Sequence, residues 1–267
     1  MENNRKMPDF TIPGNKDSKI KKIIGIVSGK GGVGKSLITS LLASDMARKG
    51  YKVGIMDADI TGPSIPRYFG IESRALADEE GQILPKVAEN GVKVMSVNLI
   101  VENAEDPVVW RGPILANAVK QFYTDVVWGE LDYLFVDMPP GTGDVPLTVF
   151  QSLPIDGIVV ATSPSDLVSM IVAKAVTMAK RMRINILGAV ENMSYLECPD
   201  CGKKIDVFGK SKVEEIKEKS GIEVVSRIPI DPKISEATDA GRIFDIKDGY
   251  MDEIIEELEK IEPKEKK

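Results

Sequence analysis

Three groups of side chains could do chemistry: a glycine–lysine loop, a set of aspartates and a cysteine pair. The loop is Gly29-Lys30-Gly31-Gly32-Val33-Gly34-Lys35-Ser36. It follows the apolar run Ile23-Ile24-Gly25-Ile26-Val27-Ser28 and precedes a helical pattern from about Lys35 to Lys49. Glycines allow backbone N–H groups to turn inward onto phosphate oxygens, and the N-terminus of the following helix adds positive potential. In the spacing G-x-x-x-x-G-K-[ST], Lys35 is placed to reach the β- and γ-phosphates and the Ser36 hydroxyl to sit on Mg²⁺. The implied ligand is a nucleoside triphosphate. No Asn-Lys-x-Asp guanine motif follows the loop, and Asn15-Lys16-Asp17 precedes it at the wrong spacing, which favours ATP.

The aspartates end apolar runs. Asp137 closes Asp132-Tyr133-Leu134-Phe135-Val136 and is followed by Met138-Pro139-Pro140-Gly141-Thr142-Gly143-Asp144. A carboxylate held at a strand end downstream of a phosphate loop serves Mg²⁺ directly or through water. Asp57 and Asp59 end the run Lys52-Val53-Gly54-Ile55-Met56; a polar strand end with a helix cap is the bland reading of that pair, and a role in the site is the favoured one.

Cys198-Pro199-Asp200-Cys201-Gly202 holds both cysteines of the chain. Two residues between the sulfurs let both face one metal while loop N–H groups point at them. A redox dithiol is the rival, but such pairs open a helix after a strand, whereas here Pro199, Gly202 and the lysines that follow suit a metal knuckle. Two thiolates leave a four-thiolate site half built, and the chain has no histidine. The economical solution is a two-fold homodimer in which each chain supplies Cys198 and Cys201, with zinc or an iron–sulfur cluster on the axis.

Composition narrows the classes. Lacking histidine, the chain has no Ser-His-Asp or Cys-His site. A net charge of −6 does not favour nucleic-acid binding. There is no apolar run long enough to span a membrane and no signal-like segment at Met1–Lys6, so no membrane partner and a cytoplasmic location are expected.

The elements that must position these groups are short apolar strands alternating with helices, which implies an α/β fold with a mostly parallel sheet and helices on both faces. Strands are expected at 23–28, 52–56, 92–99, 132–137, 157–161, 186–190 and 223–228, and helices at 35–49, 113–128, 164–183, 210–220, 233–240 and 249–261. In the 164–183 helix Ser163 and Asp166 suit the N-terminus. Residues 1–19 read as a flexible arm, 20–262 as one domain with the cysteine loop at 196–209, and 263–267 as a charged tail.

Together these motifs resemble the deviant Walker ATPases, the ParA/MinD class of P-loop proteins, and within it the Mrp/ApbC iron–sulfur cluster carriers. The resemblance covers about 20–245 and rests on 29–36, Asp57 to Ser64, Asp137 to Asp144, Glu191-Asn192-Met193-Ser194 and the cysteine pair. It implies that Lys30 reaches the partner subunit's nucleotide, that Asp59 addresses the attacking water and Asp57 the metal region, and that Asn192 and Pro229 flank the adenine, with Leu37 beside the loop. It further implies a slow ATPase that binds a 4Fe–4S cluster between two subunits and passes it to apo iron–sulfur proteins. Some relatives carry an extra N-terminal domain or cysteine cluster; residues 1–28 hold no cysteine, so a minimal member with only the bridging cluster is expected. The alternative is a ParA- or MinD-like positioning ATPase with a structural zinc knuckle, to which the acidic run Asp252 to Glu259 lends neither a basic face nor a membrane helix.

Overall fold

Successive apolar residues of the central strands face opposite sides of the sheet, so each strand feeds two cores. The structure, a computed structural model, describes residues 10–59, 62–79, 81–101, 112–141, 143–164 and 168–264. In chain order its elements are β1 (Lys19–Ser28), α1 (Lys35–Arg48), β2 (Val53–Asp57), α2 (Ile65–Tyr68), β3 (Leu76–Ala77), β4 (Ile83–Leu84), β5 (Lys86–Val87), β6 (Lys93–Met95), α3 (Gly112–Thr124), β7 (Glu130–Asp137), α4 (Asp144–Ser152), β8 (Gly157–Thr162), α5 (Val168–Met182), β9 (Asn185–Glu191), β10 (Leu196–Glu197), β11 (Lys204–Ile205), α6 (Val213–Ser220), β12 (Val225–Arg227), α7 (Pro232–Asp239) and α8 (Asp252–Lys260). Eight strands form one sheet in the order β12-β9-β8-β1-β7-β2-β6-β5. All its pairs are parallel except β5 with β6.

On one face Ile23 and Val27 of β1 and Leu134 and Val136 of β7 meet Val119 and Phe122 of α3, Val149 of α4, and Val172 and Val176 of α5. On the other, Ile24 and Ile26, with Tyr133 and Phe135, meet Ile38 and Leu42 of α1, Ile234 of α7, and Ile254 and Leu258 of α8. Both faces are covered, which is why these strands read as continuous apolar runs.

Several boundaries differ from the sequence reading. The first strand begins at Lys19 rather than 23. Of the arm expected over 1–19, residues 1–9 lie outside the described residues, whereas the segment after them is tied down: Ile12 N donates to Ser152 O at 2.9 Å and Asn15 Nδ2 to Thr124 O at 3.1 Å. The strand expected over 92–99 divides into β6 and a 3₁₀ turn at Val97–Leu99. The helix expected to reach 128 stops at Thr124, and the following backbone pairs with Ile83. Sequence reading overlooked α4 because Pro146 stands in a Gly/Pro-rich loop; proline in a first turn is compatible with a helix. The short α2 lies outside the helices expected from sequence. Asp166 and Leu167, expected in the α5 helix, lie outside the described residues, as do 265–267 of the tail.

Asp156, buried between the sheet and the C-terminal segment, accepts from Ile23 N at 2.6 Å and Lys264 N at 2.7 Å. Its replacement by alanine leaves the buried Ile23 N–H without that acceptor. Asp156→Ala is therefore expected to lower unfolding stability by about 2–3 kcal/mol, read as a urea midpoint shift at constant m. A loss below about 0.5 kcal/mol would show that other groups take over both bonds.

Candidate functional site

The parallel strands bring their carboxyl ends to one edge, where ligands bind in open α/β sheets. The register sets Asp57 of β2 opposite Asp137 of β7, beside the end of β1 and the loop that follows it. That loop turns through Gly32 (φ 79°) and Gly34 (φ 84°), a region most side chains avoid. A Cβ on Gly34 would lie 2.1 Å from Asn192 Nδ2. That amide donates to Val33 O at 3.0 Å, while Asn192 N donates to Thr162 O at 2.9 Å. The phosphate loop is thus held against β8 and β9 by one side chain.

Helix α1 starts at Lys35 and delivers its side chain into the carboxylates. Lys35 Nζ lies 2.9 Å from Asp137 Oδ1 and 3.3 Å from Asp59 Oδ2. Burial opposes the charge on Lys35, but Asp137 and Asp59 outweigh it and hold the ammonium above its ordinary pKa. Ser36 Oγ donates to Asp137 Oδ2 at 2.5 Å, and Thr39 Oγ1 to Asp137 Oδ1 at 2.9 Å. Asp57 accepts from Ser96 Oγ at 2.9 Å and Asp59 N at 3.2 Å. Burial, followed by the neighbouring Asp137, pushes the Asp57 carboxyl well above the usual carboxylate range. The Ser36 hydroxyl and the Asp137 carboxylate stand together as oxygen donors, which suits a hard ion such as Mg²⁺. A bound Mg²⁺ would neutralise phosphate charge there, and Lys35 is in place to exchange carboxylates for phosphate oxygens.

Two cavities flank the loop. One, of about 260 Å³, is lined by Leu37, Tyr68, Asn192, Met193 and Pro229, so the structure brings together three residues assigned to the nucleotide from sequence. The other, of about 780 Å³, lies between Lys30, Gly31 and Gly32 on one side and Met193, Phe208 and Lys210 on the other.

The cysteines sit on the hairpin of β10 and β11, not in a structureless loop. Cys198 N donates to Lys203 O at 3.0 Å and Gly202 N to Cys198 O at 2.9 Å, with Gly202 in the left-handed region. The backbone N–H of Asp200, then that of Cys201, point at the Cys198 sulfur and hold its pKa below the usual thiol value. Cys201 is exposed, and both thiols are free of disulfide. Among the described residues no cluster of three or more His, Cys, Asp or Glu forms a metal site within one chain.

Thr39 and Ser96 went unassigned in the sequence. Thr39 stands four residues after Lys35, one helical turn on, and Ser96 follows β6 at the same sheet edge; each spacing was a usable signal. Glu191 was read only as part of a motif, yet it is a fully buried carboxylate. Ile60, Thr61 and Thr142 of the neighbouring motifs lie outside the described residues.

Comparison with known proteins is consistent with this geometry. Residues 19–263 match a ParA-group family described as the NUBPL iron-transfer P-loop NTPase. The chain belongs to that family. This P-loop NTPase is 50% identical over 236 residues to an iron-sulfur cluster carrier protein of Clostridium perfringens, covering 86% of this chain and 83% of the relative. It is 47% identical over 225 residues to a protein of the same description from Methanocaldococcus jannaschii, covering 84% and 78%. A nucleotide-binding protein from Archaeoglobus fulgidus, solved with ADP, superposes with a TM-score of 0.78 at 41% identity, covering 87% of this chain and 91% of that one. The septum site-determining protein MinD of Pyrococcus horikoshii, solved with Mg-ADP, shares the fold at a TM-score of 0.61 and 22% identity, covering 91% and 97%. No helix among the described residues of the NTPase is long and apolar enough to cross a membrane.

Gly34→Ala is expected to weaken Mg-ADP binding by about 10-fold or more, from left-handed strain plus the clash with Asn192. Calorimetric titration of Gly34→Ala, Asn192→Ala and the double variant tests this. In the double variant the clash is gone, so its loss should be smaller than the sum of the two single losses; strictly additive losses would refute the contact as the cause.

Proposed function

We propose that this NTPase is an ATP-dependent carrier of iron–sulfur clusters that works as a cytoplasmic homodimer. The observation that carries the reading is one chain holding a nucleotide edge and a two-thiol turn, in which Cys201 is exposed and N–H groups favour the thiolate of half-buried Cys198. The names of its relatives support the same cargo. In this reading each subunit supplies Cys198 and Cys201 to one 4Fe–4S cluster between the two chains, which is then passed to apo-proteins. An exposed hairpin suits a cargo that must leave, because an acceptor's thiolates can approach it.

ATP binds with its phosphates in the loop 29–36. Lys35 turns from Asp137 and Asp59 to the β- and γ-phosphates, and Ser36 and Asp137 would hold Mg²⁺, which would neutralise phosphate charge. Asn192, Pro229 and Leu37 border the base. Asp59, freed from Lys35, orients the water that attacks the γ-phosphate, while Lys30 reaches the partner subunit's nucleotide and so makes closure of the dimer depend on ATP. Gly141, at φ 90°, allows the loop after Asp137 to move as the γ-phosphate leaves.

Anaerobic reconstitution with iron and sulfide tests the cargo. The expected product carries about four irons and four sulfides per two chains and is lost in Cys201→Ser with nucleotide binding intact. Tight zinc with no stable cluster would overturn it and leave a nucleotide-switched protein with a structural knuckle. Lys35→Ala should abolish ATP hydrolysis, measured by phosphate release, yet keep the reconstituted cluster; cluster loss in that variant would overturn the separation of the two sites.

A further inference from the structure

Glu191 is the last residue of β9, and its side chain is fully buried. A carboxylate there must be matched by donors, and the donors come from both ends of the cysteine excursion. On the outgoing stem Ser194 Oγ donates to Glu191 Oε2. On the returning stem Ser211 Oγ donates to Oε2 at 2.7 Å and Lys212 N to Oε1 at 2.8 Å, where α6 begins. Arg227 Nε lies 3.7 Å from Oε2 and donates to Ser194 Oγ at 2.6 Å. The Arg227 guanidinium also stands over the Tyr195 ring, 5.0 Å from its centre. The hairpin that presents Cys198 and Cys201 therefore leaves and rejoins the domain at one buried charge.

The next residue belongs to the nucleotide edge. Asn192 holds Val33 O of the phosphate loop. Between Asn192 and Ser194, Met193 adopts a φ of 54°, and it borders both cavities beside the loop. Few residues other than glycine adopt this backbone conformation, so Met193 is held in it by its surroundings. The contact chain runs from Val33 through Asn192 and Glu191 to Ser194 and Ser211, without a gap.

We propose that Glu191 is a positioning residue that ties both stems of the cysteine hairpin to the phosphate loop, so that nucleotide binding alters the presentation of Cys198 and Cys201. The proposal rests on the reading that the two sites serve one activity, but its test uses the thiols alone. A role confined to holding α6 in place would lower stability and leave the thiols indifferent to nucleotide.

The experiment is alkylation of the full-length, metal-free, reduced protein by iodoacetamide, with each cysteine followed by mass spectrometry, with and without Mg-ATP. In the natural protein the rate at one or both cysteines is expected to change about fivefold or more on nucleotide binding. Ser211→Ala removes one stem bond without touching the nucleotide; its rate ratio should fall toward one while Mg-ATP affinity stays within about twofold. Ser211→Thr, which keeps the hydroxyl, should restore the ratio. Glu191→Gln should behave as Ser211→Ala, and the serine variants decide the matter where that protein does not fold. A natural-protein ratio of one, or an unchanged ratio in Ser211→Ala, would overturn the proposal. Neither outcome depends on cluster assembly, so failure to reconstitute a cluster would leave the result standing.

Discussion

The ammonium of Lys35, buried among carboxylates at the sheet edge, is the interaction on which the site depends. Parallel pairing puts Asp57 and Asp137 side by side, and neither is exposed. Two carboxylates so placed repel one another and lose their hydration. Lys35 pairs with Asp137 and Asp59, while Asp57 holds its proton more tightly, through burial and then through the neighbouring Asp137. The position of α1 follows, since the helix must start where its first side chain reaches Asp137, and Gly34 makes the turn that allows this. In the proposed reading a polyphosphate with its metal ion would offer Lys35 a new anion and the carboxylates a new cation, so one event would exchange partners on both sides.

Much of this was legible in the sequence because it lies in local patterns. The phosphate loop is set by glycines, a lysine and a serine at fixed spacing between a strand and a helix. Asp57 and Asp137 could be placed because apolar runs covered on both faces betray buried parallel strands, and such strands deliver their last residues to one edge. What was not legible depends on pairing between distant segments. Sequence shows Ser96 after a short strand but not that β6 lies next to β2, which is what aims its hydroxyl at Asp57. It shows a glutamate at 191 but not that Ser211 returns to it across the cysteine hairpin. The helix α4 was hidden for a different reason: Pro146 and its glycine-rich approach are signals shared by a mobile loop and a helix start. Residues 10–18 looked like an arm because their composition is polar, yet backbone groups of Ser152, Tyr123 and Thr124 pair with them.

The two kinds of chemistry are housed in opposite ways, and their tasks account for it. Phosphate binding needs donors fixed in place before the ligand arrives, so its groups stand on strand ends and a helix start within the packed sheet. In the proposed reading the cysteine pair gives up a cluster, and that needs access. Its sulfurs stand on a two-stranded hairpin whose ladder pairs only Leu196 with Ile205 and Glu197 with Lys204. An isolated hairpin of that size is marginal by itself. Its geometry must therefore be borrowed from where it joins the domain, at Glu191, Ser194 and Ser211, and from the Tyr195 ring between Lys204 and Arg227. The small lobe is also tied to the sheet through its outgoing stem, where Ser194 N donates to Ile228 O at 2.9 Å and Ile230 N to Tyr195 O at 2.7 Å. Local bonds still hold the spacing of the two sulfurs: the turn closed by Gly202 N and the N–H groups aimed at Cys198 move with it. In the proposed coupling the lobe shifts as one piece, with the spacing of its sulfurs kept.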